Sequence, residues 1–265
     1  LAAGWTTVSF RRPLSGVSRV FVSVSDTAVV AVKNITRTSC QIAVRLGALQ
    51  EVYVSESFLE KCSCREHLEE VGYEVVSDSV FSKISDTCTP QGVLCVLKQF
   101  HYNIEEMLRD KAPLFLLLEN IQDPGNLGTM LRTGEGAGVS GIIMSRDTVD
   151  LYNPKVIRST MGSIYRVPFY YADDFAAAVH QVQQAGVSVY AAHLRGKNSY
   201  ACQDYTKGTA FLIGNEGNGL REETAELADC YIRIPMEGKV ESLNAAVASS
   251  ILMYEAHRQR ATIEK

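Results

Sequence analysis

Five consecutive apolar residues, Leu114 to Leu118 in "LFLLLE", leave no polar face on which a strand could meet water. A continuous apolar run of this length, bounded by polar residues, reads as a strand covered on both sides. It is not isolated. "GIIMS", "RVPFYY", "VSVYAAHL", "TAFLIG" and "YIRIP" follow as further strand candidates, with helix-compatible windows at 126–137, 154–161, 174–185 and 242–260. Strands alternating with helices predict an α/β fold: a mostly parallel sheet with helices on both faces.

Upstream, "QFHYNIEEMLRDKAP" is a polar connector ending at Pro113. Before it, "EVYVSES", "EEVGYEVVS" and "GVLCVLKQ" alternate with helical stretches such as 56–68, which predicts a smaller α/β unit. The expected organisation is an N-terminal domain over 1–98, a linker over 99–112 and a main domain over 113–265.

Several function classes are disfavoured by composition. With 46% apolar and 21% charged residues, the chain has no run of about 18 apolar residues to span a membrane. "LAAGWTTVSF" leads into Arg11 and Arg12 without a cleavable apolar core, so a cytoplasmic location is expected. Seven scattered cysteines (Cys40, Cys62, Cys64, Cys88, Cys95, Cys202 and Cys230) read as reduced thiols, and no metal site is expected. A formal charge of −4 gives no global attraction to nucleic acid. Locally, Arg11, Arg12, Arg19, Lys33, Arg37 and Arg45 face only Asp26 in the first fifty residues, a pattern that fits either a phosphate-facing patch or a solvated surface.

Nucleotide-binding fingerprints fail. "GAGVSG", 136–141, matches G-x-G-x-x-G, but a helical window precedes it and a strand follows, the reverse of what a phosphate-binding turn needs. It reads instead as a helix end. No G-K-[ST] is present.

Three other segments crowd small and polar residues against buried strands. In "ENIQDPGNLGTMLRTGEGAG" the chain turns through Asp123-Pro124-Gly125 and starts a helix near Asn126. Asn126 and Arg132 lie six apart, about 240° around a helix, so they reach one cleft only if Asn126 acts as a cap. In "FLIGNEGNGL" a strand runs into three glycines around Glu216; glycines there allow a turn or a close approach of the main chain. In "IPMEGKVESLNAAVASSILMYEAHRQR", Ser242 reads as a cap, Leu243, Val247, Ile251 and Tyr254 as an apolar helical stripe, and Ala245, Ala246, Ala248, Ser249 and Ser250 as small residues that let a second backbone approach closely.

Together "DPGNLGTMLRT", "IGNEGNGL" and "IPMEGKVESLNAAVASSI" resemble, in order and spacing, the signature motifs of the SPOUT superfamily and its TrmH-type RNA 2′-O-ribose methyltransferases. The resemblance covers about residues 112 to 260. It implies a deep trefoil knot, a homodimer formed through the knot region near 242–260, and an N-terminal RNA-recruiting domain whose later half 51–98 fits. It also implies S-adenosylmethionine as cofactor, held by His193, Gly214, Asn215, Glu216, Gly217, Ile234, Met236, Ser242, Leu243 and Asn244. Catalytic roles fall on Arg132, Asn126, Glu216, Ser242 and Asn244. A guanidinium with a pKa above about 12 is a poor base, so Arg132 is expected as a clamp on phosphate and 2′-oxygen. Lys155, Arg158 and Arg166 join Arg132 as candidate RNA contacts, with ribosomal RNA favoured over transfer RNA. A non-catalytic knotted RNA-binding protein and a base-methylating enzyme are the alternatives, and the presence of all five catalytic-type residues argues against the first.

Overall fold

The structure, a computed structural model, describes residues 7–8, 22–23, 27–30 and 49–263 apart from 63–64, 86–88 and 240–241. The N-terminal basic residues Arg11, Arg12, Arg19, Lys33, Arg37 and Arg45 lie outside the described residues, as do Asp26, Cys40, Cys64, Cys88 and Glu241. The chain divides into two compact units, Leu1–Phe100 and His101–Lys265.

In the first unit, strands β1 (Thr7–Val8) and β2 (Val22–Ser23) pair antiparallel. Four more strands, β3 (Thr27–Val30), β4 (Leu49–Ser55), β5 (Glu74–Val76) and β6 (Val93–Lys98), form a sheet in the order β3-β6-β4-β5. Helices α1 (Glu56–Lys61), α2 (Arg65–Val71) and α3 (Asp78–Ile84) connect them. The expected continuous helix over 56–68 is therefore two helices: Cys62 leaves the helical region, at φ −75° and ψ 121°. Cys-Ser-Cys supplies poor helix formers at that point. Tyr53, Val76, Phe81, Leu94 and Val96 make the core of this unit.

The second unit begins with a single turn, α4 (Ile104–Met107), inside the expected linker. Its Ile104 and Met107 are buried against the sheet that follows. The elements then alternate: β7 (Leu114–Leu118), α5 (Pro124–Ala137), β8 (Gly141–Ser145), α6 (Pro154–Thr160), β9 (Phe169–Ala172), α7 (Phe175–Gln184) and β10 (Ser188–Ala192). A two-residue strand β11 (Asn198–Ser199), not anticipated from sequence, precedes β12 (Thr209–Ile213), α8 (Glu222–Ala225), β13 (Cys230–Arg233) and α9 (Ala245–Ile263). Every pairing in the seven-stranded sheet is parallel, in the order β11-β13-β10-β12-β7-β8-β9.

β7 lies inside this sheet between β12 and β8, which is why its sequence has no polar face. Phe115 and Leu117 point to the face covered by Ala178, Val179 and Val182 of α7. Leu114, Leu116 and Leu118 must then point to the opposite face, and all three are fully buried. Each such leucine contributes roughly 1.5–3 kcal/mol relative to exposure. α5 packs against both α6 and α9, and α9 against β12. The "GAGVSG" segment behaves as read: Gly138, at φ 78°, is the left-handed cap of α5 before β8 begins.

The orientation of α9 corrects a sequence expectation. Val247 and Tyr254, expected in an apolar stripe facing the core, are about half exposed, at 48% and 50%. The small residues Ala245, Ala246 and Ser249 turn inward instead, together with Leu252, Met253 and Ala256. α5 approaches closely here: an added Cβ on Gly134 would lie 3.7 Å from the Met253 sulfur.

Candidate active site

β7 and β12 are neighbours, yet the chain leaves them in opposite directions, β7 towards β8 and β12 towards β13 beyond β10. Such a reversal opens a crevice at the carboxyl ends of parallel strands, where ligands of open α/β sheets bind. All three small-residue segments converge there.

The loop after β12 is built almost wholly from main chain. Asn215 and Gly219 exchange backbone hydrogen bonds of 3.0 and 2.9 Å, folding the loop back on itself. The Asn215 side-chain oxygen accepts from the backbone N–H groups of Gly217 (2.9 Å) and Asn218 (3.0 Å). Gly214 sits where nothing larger fits, since a Cβ on it would lie 2.2 Å from Leu220 N and 2.3 Å from Gly219 C. Beside this loop is a cavity of about 280 Å³, near the lower end of the ~300–1,000 Å³ usual for small-molecule sites. His193, Gly214, Asn215, Glu216, Gly217, Ile234, Met236, Ser242 and Leu243 all line it, so nine of the ten residues named for the cofactor share one wall. His193 Nδ1 accepts the Arg195 backbone N–H at 3.1 Å, and burial followed by the Arg195 charge pushes its pKa below 6.5. Its ring is neutral at neutral pH.

The tenth, Asn244, lies in an adjoining open cleft with Gln122, Asp123 and Asn126, and the two depressions share Asn215 to Gly217, Ser242 and Leu243. Helix capping organises the cleft, and it does so at positions other than those expected. Asp123, not Asn126, caps α5, accepting the Asn126 backbone N–H at 2.7 Å. The Asn126 side chain, inside the first turn, is thereby left free to face the cleft. Asn244, not Ser242, caps α9, its Oδ1 accepting from Ala246 N (2.9 Å) and Val247 N (3.2 Å). With its oxygen committed, Asn244 presents Nδ2, which donates to Asn126 Oδ1 at 2.9 Å. Asn126 must then turn its own Nδ2 outward, and it donates to Glu216 Oε1 at 3.0 Å. Glu216 also accepts the backbone N–H groups of Gln122 (3.1 Å) and Asp123 (3.0 Å). Each amide orientation is dictated by the one before it, starting from the α9 N-terminus.

Arg132 is not brought to this cleft within the chain. It lies on the exposed surface of α5, lines neither depression, and its guanidinium has no hydrogen-bond or ion-pair partner among the described residues. Of the other cations expected to face RNA, Lys155 is exposed and Arg158 half-buried on α6. Arg166 forms a two-pronged ion pair with Glu135. Sequence reasoning missed Gln122, whose N–H holds Glu216, and Asn120, which adopts φ 53° and accepts the Asn215 amide at its carbonyl, 2.8 Å away. Both lie in the quoted "ENIQDPGNLG" stretch, but only loop geometry exposes their part.

Comparison with known proteins agrees with this geometry. The chain matches the SpoU rRNA Methylase family over residues 113–254, from β7 to the middle of α9. It is 35% identical over 180 residues to the 23S rRNA (guanosine(2553)-2′-O)-methyltransferase RlmP of Bacillus subtilis, covering 68% of this chain and 70% of that protein. It is 32% identical over 221 residues to the 23S rRNA (guanosine-2′-O-)-methyltransferase RlmB of Bordetella pertussis, covering 80% and 90%. Among solved structures, the AdoMet-bound rRNA methyltransferase of Sinorhizobium meliloti superposes with a TM-score of 0.74 at 30% identity, over 88% of this chain and 87% of that one. The matched stretch contains β7, β12 and the loops that build both depressions, and on that ground this chain belongs to the SpoU rRNA methylase family.

Proposed function

We propose that the protein transfers a methyl group from S-adenosylmethionine to a ribose 2′-hydroxyl of structured RNA, with ribosomal RNA as the substrate class. The observation that carries this reading is the shared wall. A main-chain cavity suited to a small molecule opens beside a polar cleft with an ordered Asn244–Asn126–Glu216 chain. Two ligands seated there would meet across the wall.

The cavity fits the cofactor. Its loop brings backbone rather than side chains to the ligand, and Gly214 occupies a place a methyl group would block. His193, Gly214, Asn215, Gly217, Ile234, Met236, Ser242 and Leu243 would hold it. When bound, the cofactor supplies an electrophilic methyl on a sulfonium. The chain's own work is to align the 2′-oxygen and stabilise its developing charge. Asn126, fixed at both ends of its amide, retains one unassigned N–H in the cleft with which to orient the ribose. Glu216, accepting from three donors, is a fixed anion that sets Asn126 and not a proton acceptor. Ser242 and Asn244 close the cleft from the α9 side. The proton leaves through water or the neighbouring phosphate.

Arg132 is proposed as the clamp on that phosphate and the 2′-oxygen. Its exposed position supports a homodimer, in which both subunits contribute to each site and the outward Val247 and Tyr254 face of α9 lies at the contact. Lys155, Arg158 and Arg166 are proposed to flank the RNA. The strand order, with β12 inserted between β7 and β10, and the return of the chain over these strand ends to α9 support the trefoil knot. We further assign residues 1–98 to RNA recruitment and 113–265 to transfer, joined by the connector 99–112, whose Ile104 and Met107 pack into the core of the second unit. No helix among the described residues is long and apolar enough to cross a membrane, in keeping with a cytoplasmic site of action.

The test is to incubate the protein with methyl-labelled S-adenosylmethionine and separate pools of unmodified ribosomal and transfer RNA, then hydrolyse in alkali. Label in an alkali-resistant dinucleotide from the ribosomal pool is expected, because a methylated ribose cannot cleave its neighbouring phosphate. Label in mononucleotides would move the acceptor to a base. In the same assay Arg132→Ala is expected to abolish transfer and leave cofactor affinity within about threefold, under 1 kcal/mol; near-normal turnover would remove Arg132 from the mechanism.

A further inference from the structure

We propose that Arg221 is a positioning residue: with Glu119 and Asp147 it forms a latch that holds the 214–220 loop in the shape that receives the cofactor. The proposal rests on the reading that the cavity beside that loop binds S-adenosylmethionine.

Glu119 directly follows β7 and is almost wholly buried, 1% exposed. A carboxylate in that position is costly unless its oxygens are engaged. Here Oε2 accepts the Arg221 backbone N–H at 2.8 Å, and Oε1 accepts the Thr224 hydroxyl at 2.5 Å and the Arg221 guanidinium at 3.4 Å. The second prong of the guanidinium reaches Asp147, in the loop after β8. Asp147 is set in turn by Ser145, whose hydroxyl donates to it at 2.5 Å while accepting the Asn120 N–H at 2.8 Å. One arginine thus ties together the loops that follow β7, β8 and β12.

Those loops carry the active-site donors and acceptors. Asn120 accepts the Asn215 amide, and Gln122, two residues on, donates its N–H to Glu216. Arg221 immediately follows the glycine-rich loop, whose near end is held by the Asn215 turn, the Asn215–Asn120 contact and the three donors on Glu216. Leu220 packs into the core at the far end of the loop, and Arg221 ties that end to the neighbouring loops. Arg221 does so without lining the cavity, since its guanidinium points to Asp147 and Glu119.

The experiment compares the full-length protein with Arg221→Met, which keeps the stem and removes the charge, and with Asp147→Asn, which weakens only one arm. Cofactor affinity is measured by calorimetry with S-adenosylmethionine alone, turnover at saturating cofactor, and hydrogen exchange at the Gly217, Asn218 and Gly219 amides. Arg221→Met is expected to raise the dissociation constant and KM for the cofactor about tenfold, with kcat within about threefold, and to accelerate exchange at those amides about tenfold. Asp147→Asn is expected to shift each in the same direction by less, and it serves where Arg221→Met does not fold. A lower melting temperature with affinity, KM and loop exchange all unchanged would reduce the pair to a structural salt bridge and overturn the latch. If the wild-type protein binds no S-adenosylmethionine, the functional reading fails. Loop exchange then decides the latch alone: faster in the variant supports it, unchanged refutes it.

Discussion

The cavity and the cleft share a wall but are built from different materials. On the cavity side the 214–220 loop contributes mainly backbone, and the site exists because a glycine at 214 leaves room. On the cleft side the polar work is done by side chains whose orientations are chained, from the α9 N-terminus through Asn244 and Asn126 to Glu216. A backbone site is disturbed by adding atoms and is indifferent to most side-chain chemistry. A side-chain relay is disturbed by removing atoms. The two should therefore fail in different ways, one in binding and the other in turnover.

Between cavity and cleft, the largest expected effect comes from Gly214→Ala. Its Cβ would lie 2.2 Å from Leu220 N and 2.5 Å from Gly219 O, both main-chain atoms that cannot rotate away. The loop has to shift, and cofactor affinity is expected to fall about 100-fold, roughly 2.7 kcal/mol, by calorimetry. Affinity within threefold of wild type would mean the loop's backbone is not the cofactor's seat. Asn244→Ala is next. It removes the α9 cap, at a cost of about 1 kcal/mol in stability, and releases Asn126 to rotate. We expect kcat to fall about 10- to 100-fold, as for loss of one preorganised polar group, with cofactor affinity within threefold. If affinity falls and kcat holds, the division between cavity and cleft is wrong. Smaller again is Val247→Asp, on the outward face of α9. In the proposed homodimer, subunit association should weaken about tenfold or more, some 1.4 kcal/mol, in sedimentation, while thermal stability of the monomer changes by no more than about 0.5 kcal/mol.

The same contrast explains what could be read in advance. β7, β8 and β12 were legible because strands covered on both faces must be continuously apolar. α7 falls inside the 174–185 window read from the sequence, and the structure starts it at Asp174, whose carboxylate accepts the Ala177 N–H at 2.9 Å. On α9 the small residues that leave room for a second backbone, Ala245, Ala246 and Ser249, are buried, whereas the apolar stripe fails at Val247 and Tyr254, which are about half exposed. The insertion of β12 between β10 and β7 has no local signature, since register and order are decided by pairing across distant segments. The glycines by themselves indicate only a turn or a close approach of the main chain; the remaining cavity residues are named through the resemblance of the three motifs. The cap exchange, with Asp123 and Asn244 capping so that Asn126 is free, was not legible, because Asp, Asn and Ser are all good caps and sequence alone does not rank them.

The smallest effect expected is an absence of one, and it bears on the role of Glu216. Burial pushes its carboxyl pKa up, but the hydrogen bonds from the Asn126 side chain and the Gln122 and Asp123 backbone outweigh this and hold it below its ordinary 4.5. A carboxyl whose folded-state pKa lies below its unfolded value contributes stability that is fully present above the unfolded value and is lost as pH falls through the folded one. Glu216 is therefore ionised throughout the range from about pH 5 to 8, with its acceptor capacity directed at fixed donors. The pH profile of turnover should show no acid limb from this residue in that range. Glu216→Gln, by the same logic, lowers turnover by placing an amide N–H against a donor, and leaves the shape of the profile unchanged. An acid limb near pH 6 to 7 that disappears in Glu216→Gln would mean that this carboxylate takes up the proton after all. The cleft would then be a site of proton transfer and not only of positioning.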